Sequence, residues 1–139
     1  MKELVIGMVF DPTRENLLML KRKKDPYFGK VNGIGGKVES GESHEEAMIR
    51  ELKEETNYDL DKVDTLEEIM RLDFDKEQIR LIVYYIKLKQ QYPIEIKEDH
   101  EGYYDWYNIN DSNLLDAAND KIAGEGSVAY FIKFILDLK

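Results

Sequence analysis

The sequence predicts one α/β domain, a mixed β-sheet with helices packed on it and no regular β-α-β alternation. Three observations carry that expectation. Several runs have the β-branched and aromatic content, bounded by turn residues, of sheet strands. Two other segments repeat their apolar residues at helical spacing. Finally, 139 residues of which 42% are hydrophobic suffice for one core, and no linker, repeat or low-complexity stretch divides them, so residues 1–139 form one unit.

In chain order, ELVIGMVF and NLLMLKRK read as two strands joined by the turn-rich DPTRE. The segment DPYFGKVNGIGG, rich in glycine and aromatic residues, reads as a loop leading into a helix. Ser43 and Glu46 have the spacing of a capping box, which starts that helix near residue 44, and Asn57 suits its end because asparagine tolerates the left-handed conformation. VDTLEEIMRLDF and QIRLIVYYIKLK flank the polar DKE and read as a long hairpin. YYDWYNI is a further strand, and DSNLLDAA reads as a short helix behind a capping-type Asp or Ser. At the end, Val128, Phe131, Ile135 and Leu138 mark a packing helix.

Charge and composition exclude several classes. A formal net charge of -9 argues against a stable nucleic-acid partner or attraction to anionic membranes. The apolar N-terminal stretch is interrupted at Asp11, far short of the roughly 20 residues a span requires, so no membrane segment or signal peptide is expected. With no cysteine, thiolate chemistry and disulfides are absent and a cytoplasmic setting is expected. Small anionic ligands remain open if divalent cations intervene. The basic run Lys21 to Lys24 reads either as a solvated strand end or as a phosphate-facing edge.

The helix near residues 44–56 carries Glu45, Glu46, Glu51, Glu54 and Glu55, two of them in its last turn, where the helix dipole already disfavours negative charge. With Glu51 at 0°, Glu55 falls at about +40° and Glu54 at about -60°, beside an apolar face of Met48, Ile49 and Leu52 at about +60° to +160°. Ala47, at about -40°, leaves the acidic arc without a large side chain over it. Glu51 and Glu55 repel each other at i, i+4, and Arg50 can pair with Glu54. Such an arc is either a solvated glutamate face or a site for hard divalent cations such as Mg²⁺. Gly33, Gly35 and Gly36, with Lys37 beside them, permit tight or left-handed backbone and close approach to a ligand. Their spacing matches neither a P-loop nor a dinucleotide fingerprint.

Gly36, Glu42, Arg50, Glu51, Leu52, Glu54 and Glu55 together closely resemble the Nudix box, G-x5-E-x7-R-E-U-x-E-E-x-G-U, over residues 36–58. Asn57 and Tyr58 depart from its last two positions. The resemblance implies a Nudix-type α/β/α sandwich around a mixed sheet. VNGIGGKVESGE is especially similar to the MutT-like branch and to oxidised purine nucleoside triphosphate pyrophosphohydrolases. It implies hydrolysis of a nucleoside triphosphate to the monophosphate and pyrophosphate, with Mg²⁺ or Mn²⁺ as cofactor and 8-oxo-dGTP or a related purine dNTP as the foremost substrate.

Residue by residue, the resemblance makes Glu51, Glu54 and Glu55 metal-facing, joined by the Gly35 carbonyl and Glu101, which stands five before Trp106. Glu51 is the leading base and Glu101 the alternative. Arg50 orients carboxylates, and Gly36 and Glu42 are structural. Asn32 is expected to contact the base, with Lys37, Lys23 and Phe28 as further substrate-binding candidates. The related enzymes also read the base with acids near the start of their last helix, where this chain offers only Glu125 in AGEGSV. Tyr103, Tyr104, Trp106, Tyr107 and Tyr27 are alternatively core or stacking residues. Other readings are a dinucleoside polyphosphate, nucleotide sugar or RNA 5′ end as substrate, or a nucleotide-binding module without turnover. The oligomeric state is expected to be monomer or homodimer.

Overall fold

The computed structural model describes residues 1–139. Seven strands form one mixed sheet: β1 Lys2–Phe10, β2 Asn16–Arg22, β3 Val31–Asn32, β4 Ile34–Lys37, β5 Val63–Phe74, β6 Ile79–Leu88 and β7 Gly102–Asn108. The long path runs β3-β2-β1-β6-β5, with β4 paired to β1 and β7 to β2. Only β1 and β6 pair in parallel, from Lys2 opposite Ile79 to Phe10 opposite Lys87. That central pair is buried on both faces, as parallel neighbours usually are.

Alternation along β1 divides the core. Ile6, Met8 and Phe10 point to one side, where Val128, Phe131, Ile132 and Ile135 of α2 (Ser127–Leu138) pack. Val5 and Val9 point to the other, against Met48 and Leu52 of α1 (His44–Thr56). The result is a helix-sheet-helix sandwich, as expected. No helix is long and apolar enough to cross a membrane.

Three local expectations change. The glycine-rich segment is not all loop, because it contains β3 and β4, with Ile34 to Lys37 running antiparallel to Leu4–Gly7. Residues 111–118 form turns rather than a short helix. The side chains of Asn108, Asp116 and Asn119 accept nearby backbone N–H groups there, at 2.9–3.0 Å, offering the chain an alternative to helical bonds. Leu138, spaced to face inward, is 61% exposed at the frayed end of α2.

Candidate active site

Helix α1 is closed at both ends by its own sequence. Ser43 Oγ accepts from the Glu46 backbone at 3.1 Å, and Glu46 Oε1 accepts from the Ser43 backbone at 2.8 Å. Asn57 takes the left-handed conformation at φ 65° and donates its backbone N–H to the Lys53 carbonyl. Tyr58, where the box usually has an aliphatic residue, is 1% exposed, and its hydroxyl donates to the Pro93 carbonyl at 2.7 Å. The aromatic substitution is therefore absorbed as core packing.

Only Glu54 of the acidic arc is solvated, while Glu51 and Glu55 are drawn into the protein. Ala47 is fully buried in the core, which brings the edge of the arc down onto the sheet. Glu55 is only 5% exposed, and its Oε1 accepts from the Tyr104 hydroxyl at 3.0 Å. Its Oε2 is buried without any partner. Burial and the neighbouring Glu51 carboxylate push Glu55 up to about 9 in the metal-free protein. Burial also raises Glu51, against the pull of Arg50.

Arg50 organises the other side. Its Nε and Nη2 grip both oxygens of Glu42, at 2.6 and 3.0 Å, and Nη2 also donates to the Lys37 carbonyl at 3.0 Å. Nη1 donates to Glu51 Oε1 at 2.9 Å and reaches Glu54 at 3.3 Å. Glu42 also accepts from the Glu39 backbone at 2.8 Å, tying the loop to the helix, and these bonds hold its carboxyl below the ordinary range. Glu54 is drawn to Arg50 and its side chain is 58% exposed, so no three metal-ligating side chains meet at one point in this conformation.

The glycines serve proximity rather than left-handed backbone. A Cβ at Gly36 would lie 2.5 Å from Glu51 Oε1, and one at Gly35 would collide with the Val5 carbonyl across the sheet. None of Gly33, Gly35 and Gly36 has positive φ.

One cleft of about 630 Å³ gathers Asn32, Gly35, Gly36 and Lys37 with Glu51, Glu54, Glu55 and Glu101. Asn32 Oδ1 accepts from the Gly33 backbone at 2.8 Å, leaving the amide nitrogen as its donor. Glu101 stands among Arg22, Lys24 and His100, at 3.8, 3.4 and 3.2 Å. Two expected substrate residues do not line the cleft. Lys23 is bound to Glu98 at 2.6 Å and lies over the Tyr103 ring, and Phe28 is 66% exposed. Its neighbour Tyr27 lines the cleft instead, donating to Glu125 at 2.9 Å. Trp106 is a packing residue whose indole donates to the Tyr92 carbonyl at 2.9 Å. Asp99, which no motif marks, lines the same cleft with its Oδ2 2.9 Å from the Tyr104 hydroxyl, whose single proton it shares with Glu55 Oε1.

The donor set facing this end of the cleft is almost all carboxylate oxygen, with a buried, unpartnered oxygen on Glu55 and a like-charge neighbour beside it. Such a set fits a hard divalent cation of the Mg²⁺ or Mn²⁺ kind. The one histidine at the cleft, His100, is on its exposed rim.

Similarity to known proteins agrees with the geometry. The NUDIX domain model matches residues 1–124. Over 110 residues the chain is 36% identical to the oxidized purine nucleoside triphosphate hydrolase of Danio rerio, a stretch covering 78% of this chain and 67% of that protein. It is 52% identical to the ADP-ribose pyrophosphatase of Methanocaldococcus jannaschii over 40 residues, 29% of this chain and 24% of that one. The MutT protein of Bacillus halodurans superposes with a TM-score of 0.63 at 26% identity, covering 98% of this chain and 82% of the other. Box, sandwich and carboxylate cleft thus coincide in a chain that belongs to the Nudix family of hydrolases.

Proposed function

We propose that the protein is a Mg²⁺- or Mn²⁺-dependent pyrophosphohydrolase that cleaves a nucleoside triphosphate to the monophosphate and pyrophosphate, with 8-oxo-dGTP or a related purine dNTP as substrate. The observation that carries this reading is the unpartnered buried oxygen of Glu55 beside Glu51, in the same cleft as the Asn32 amide donor. The zebrafish relative named for oxidised purine nucleoside triphosphates supports the substrate class.

In this reading Glu51, Glu54 and Glu55 hold the cation, with the Gly35 carbonyl and Glu101 as further oxygen donors. The bound cation supplies neutralisation of phosphate oxygens and activation of water. Glu51, half-buried and raised in basicity by that burial, takes the proton of the attacking water. The water oxygen bonds to one phosphorus of the α–β anhydride as that phosphorus loses its bond to the bridging oxygen, giving the monophosphate and pyrophosphate. Arg50, fixed by its grip on Glu42, orients Glu51 and Glu54. Asn32 presents its amide donor to the base, and Lys37 lies where it can meet phosphate.

A second substrate, ADP-ribose or another nucleoside diphosphate derivative, is favoured by the similarity to the archaeal pyrophosphatase, which covers only 40 residues. The deciding experiment measures phosphate and pyrophosphate release from 8-oxo-dGTP, dGTP, ADP-ribose and diadenosine polyphosphates with Mg²⁺. Wild type is expected to lead with an oxidised purine triphosphate, and Glu54→Gln to lose about a hundredfold in kcat/KM. A profile led by ADP-ribose overturns the substrate, and tight nucleotide binding without turnover overturns the catalytic reading.

A further inference from the structure

Glu51 and Glu55 are held from different directions. Arg50 fixes Glu51 from the loop side, where the bare Gly36 backbone leaves room for its carboxylate. Glu55 is instead held from β7. Tyr104, 4% exposed with its ring in the α1-side core, places its hydroxyl 3.0 Å from Glu55 Oε1 and 2.9 Å from Asp99 Oδ2. Asp99 is itself anchored, because its Oδ1 accepts from the backbone N–H groups of Glu101 and Gly102 at 2.8 and 3.3 Å. Gly102 lies so close to β2 that a Cβ would strike the Lys21 carbonyl, which leaves the strand little room to shift. With Oε1 engaged, only the unpartnered Oε2 of Glu55 remains for a ligand.

We infer that Tyr104, anchored by Asp99, is a positioning residue that orients the Glu55 carboxylate for the divalent cation. This rests on the metal-dependent reading above and extends it to two residues outside the box. The phenol has one proton to give, so Glu55 Oε1 and Asp99 Oδ2 share it, and the backbone-anchored Asp99 fixes where the hydroxyl sits beside Glu55. Outer partners of metal-binding carboxylates commonly fix their orientation, and losing one costs about 10- to 100-fold in affinity or activity. Tyr104→Phe keeps the ring and its packing and removes only the hydroxyl.

The test titrates Mn²⁺ into the nucleotide-free protein by calorimetry, alongside KM for nucleotide at saturating Mg²⁺ and the melting temperature in EDTA. Tyr104→Phe is expected to weaken Mn²⁺ binding at least tenfold while leaving KM for nucleotide unchanged. A purely structural role would lower the melting temperature in EDTA without changing Mn²⁺ affinity. Asp99→Ala is expected to weaken Mn²⁺ binding in the same direction. Asp99→Asn should retain it within about threefold, since its oxygen can accept from the same backbone groups and its amide can donate to the phenol oxygen, leaving the phenol proton for Glu55. Should Tyr104→Phe not fold, the Asp99 pair decides. Unchanged Mn²⁺ affinity in Tyr104→Phe overturns the inference, as does an Asp99→Asn variant as weak as Asp99→Ala. Wild type that neither binds Mn²⁺ nor turns over any nucleotide overturns the proposed function as well.

Discussion

The two helices on opposite faces of the sheet are stabilised in opposite ways. Helix α2 begins at Gly126, at φ 92° with no side-chain cap, and buries Val128, Ala129, Phe131, Ile132 and Ile135. Helix α1 buries fewer large apolar groups, but has a complete capping box, a left-handed Asn57 terminus and an arginine that binds three of its neighbouring carboxylates. Burial alone holds α2, so it tolerates poor local signals. In α1 the local bonds compensate for a last turn that carries Glu54 and the buried Glu55 against the helix dipole. A helix that must present strained acids at its unfavourable end is secured by local bonds at both ends.

The largest expected contrast comes from emptying the α2 side. Phe131 is 2% exposed in the core cluster beneath that helix, and Phe131→Ala is expected to cost about 3–5 kcal/mol in urea denaturation. Its kcat at saturating Mg²⁺ should match wild type at temperatures where it is folded, because no side chain of the carboxylate cleft comes from α2. A kcat reduced tenfold in the folded variant would show that the faces are not independent.

A smaller effect with a definite sign comes from the α1 side. In the folded, metal-free protein Glu55 titrates at about 9, against 4.5 for an ordinary glutamate. Between those values the folded state holds a proton that the unfolded chain has released, so stability falls as pH rises. One such proton contributes at most about 1.4 kcal/mol per pH unit. Urea denaturation in EDTA at pH 6, 7 and 8 should therefore show a declining stability, preserved in Phe131→Ala and flattened in Glu55→Gln. Mg²⁺ should restore stability at pH 8 in wild type, because a ligand that binds only the folded state stabilises it, and should do so much less in Glu55→Gln. A flat wild-type profile would mean that Glu55 is not strained.

That contrast also explains what was legible in the sequence. The boundaries of α1 were readable because capping box, apolar period and terminal asparagine are all local. The carboxylates that crowd the cleft were readable from the box spacing. Strand β4 was not, because its partner is β1, some thirty residues earlier, and the glycines that permit the pairing look identical to loop glycines. Asp99 was invisible for a related reason: it reaches Glu55 only through the Tyr104 hydroxyl, a contact that requires β7 to lie against the end of α1. Lys23 and Phe28 had suitable chemistry and proximity in sequence, but Glu98 draws the lysine aside and the phenylalanine points outward, while Tyr27 faces the cleft. Period and motif fix which residues share an element, not which of two adjacent side chains turns inward.

The smallest predicted effect probes whether the two ends of α1 communicate. Ser43→Ala removes the hydroxyl that accepts from Glu46 and should cost about 1 kcal/mol. From Ser43 to Glu55 is roughly 18 Å along the helix at 1.5 Å per residue, well beyond the separation at which substitutions usually couple. The loss should therefore be the same in EDTA and in Mg²⁺, and in a double variant it should add to whatever Glu55→Gln contributes, within about 0.5 kcal/mol. Additivity would mean that the cap steadies the helix as a whole and that the repulsion of the last turn is relieved locally, by Arg50, Tyr104 and the cation. Coupling well above that limit would instead mean that α1 transmits strain along its length, so that weakening its start changes how its end holds metal.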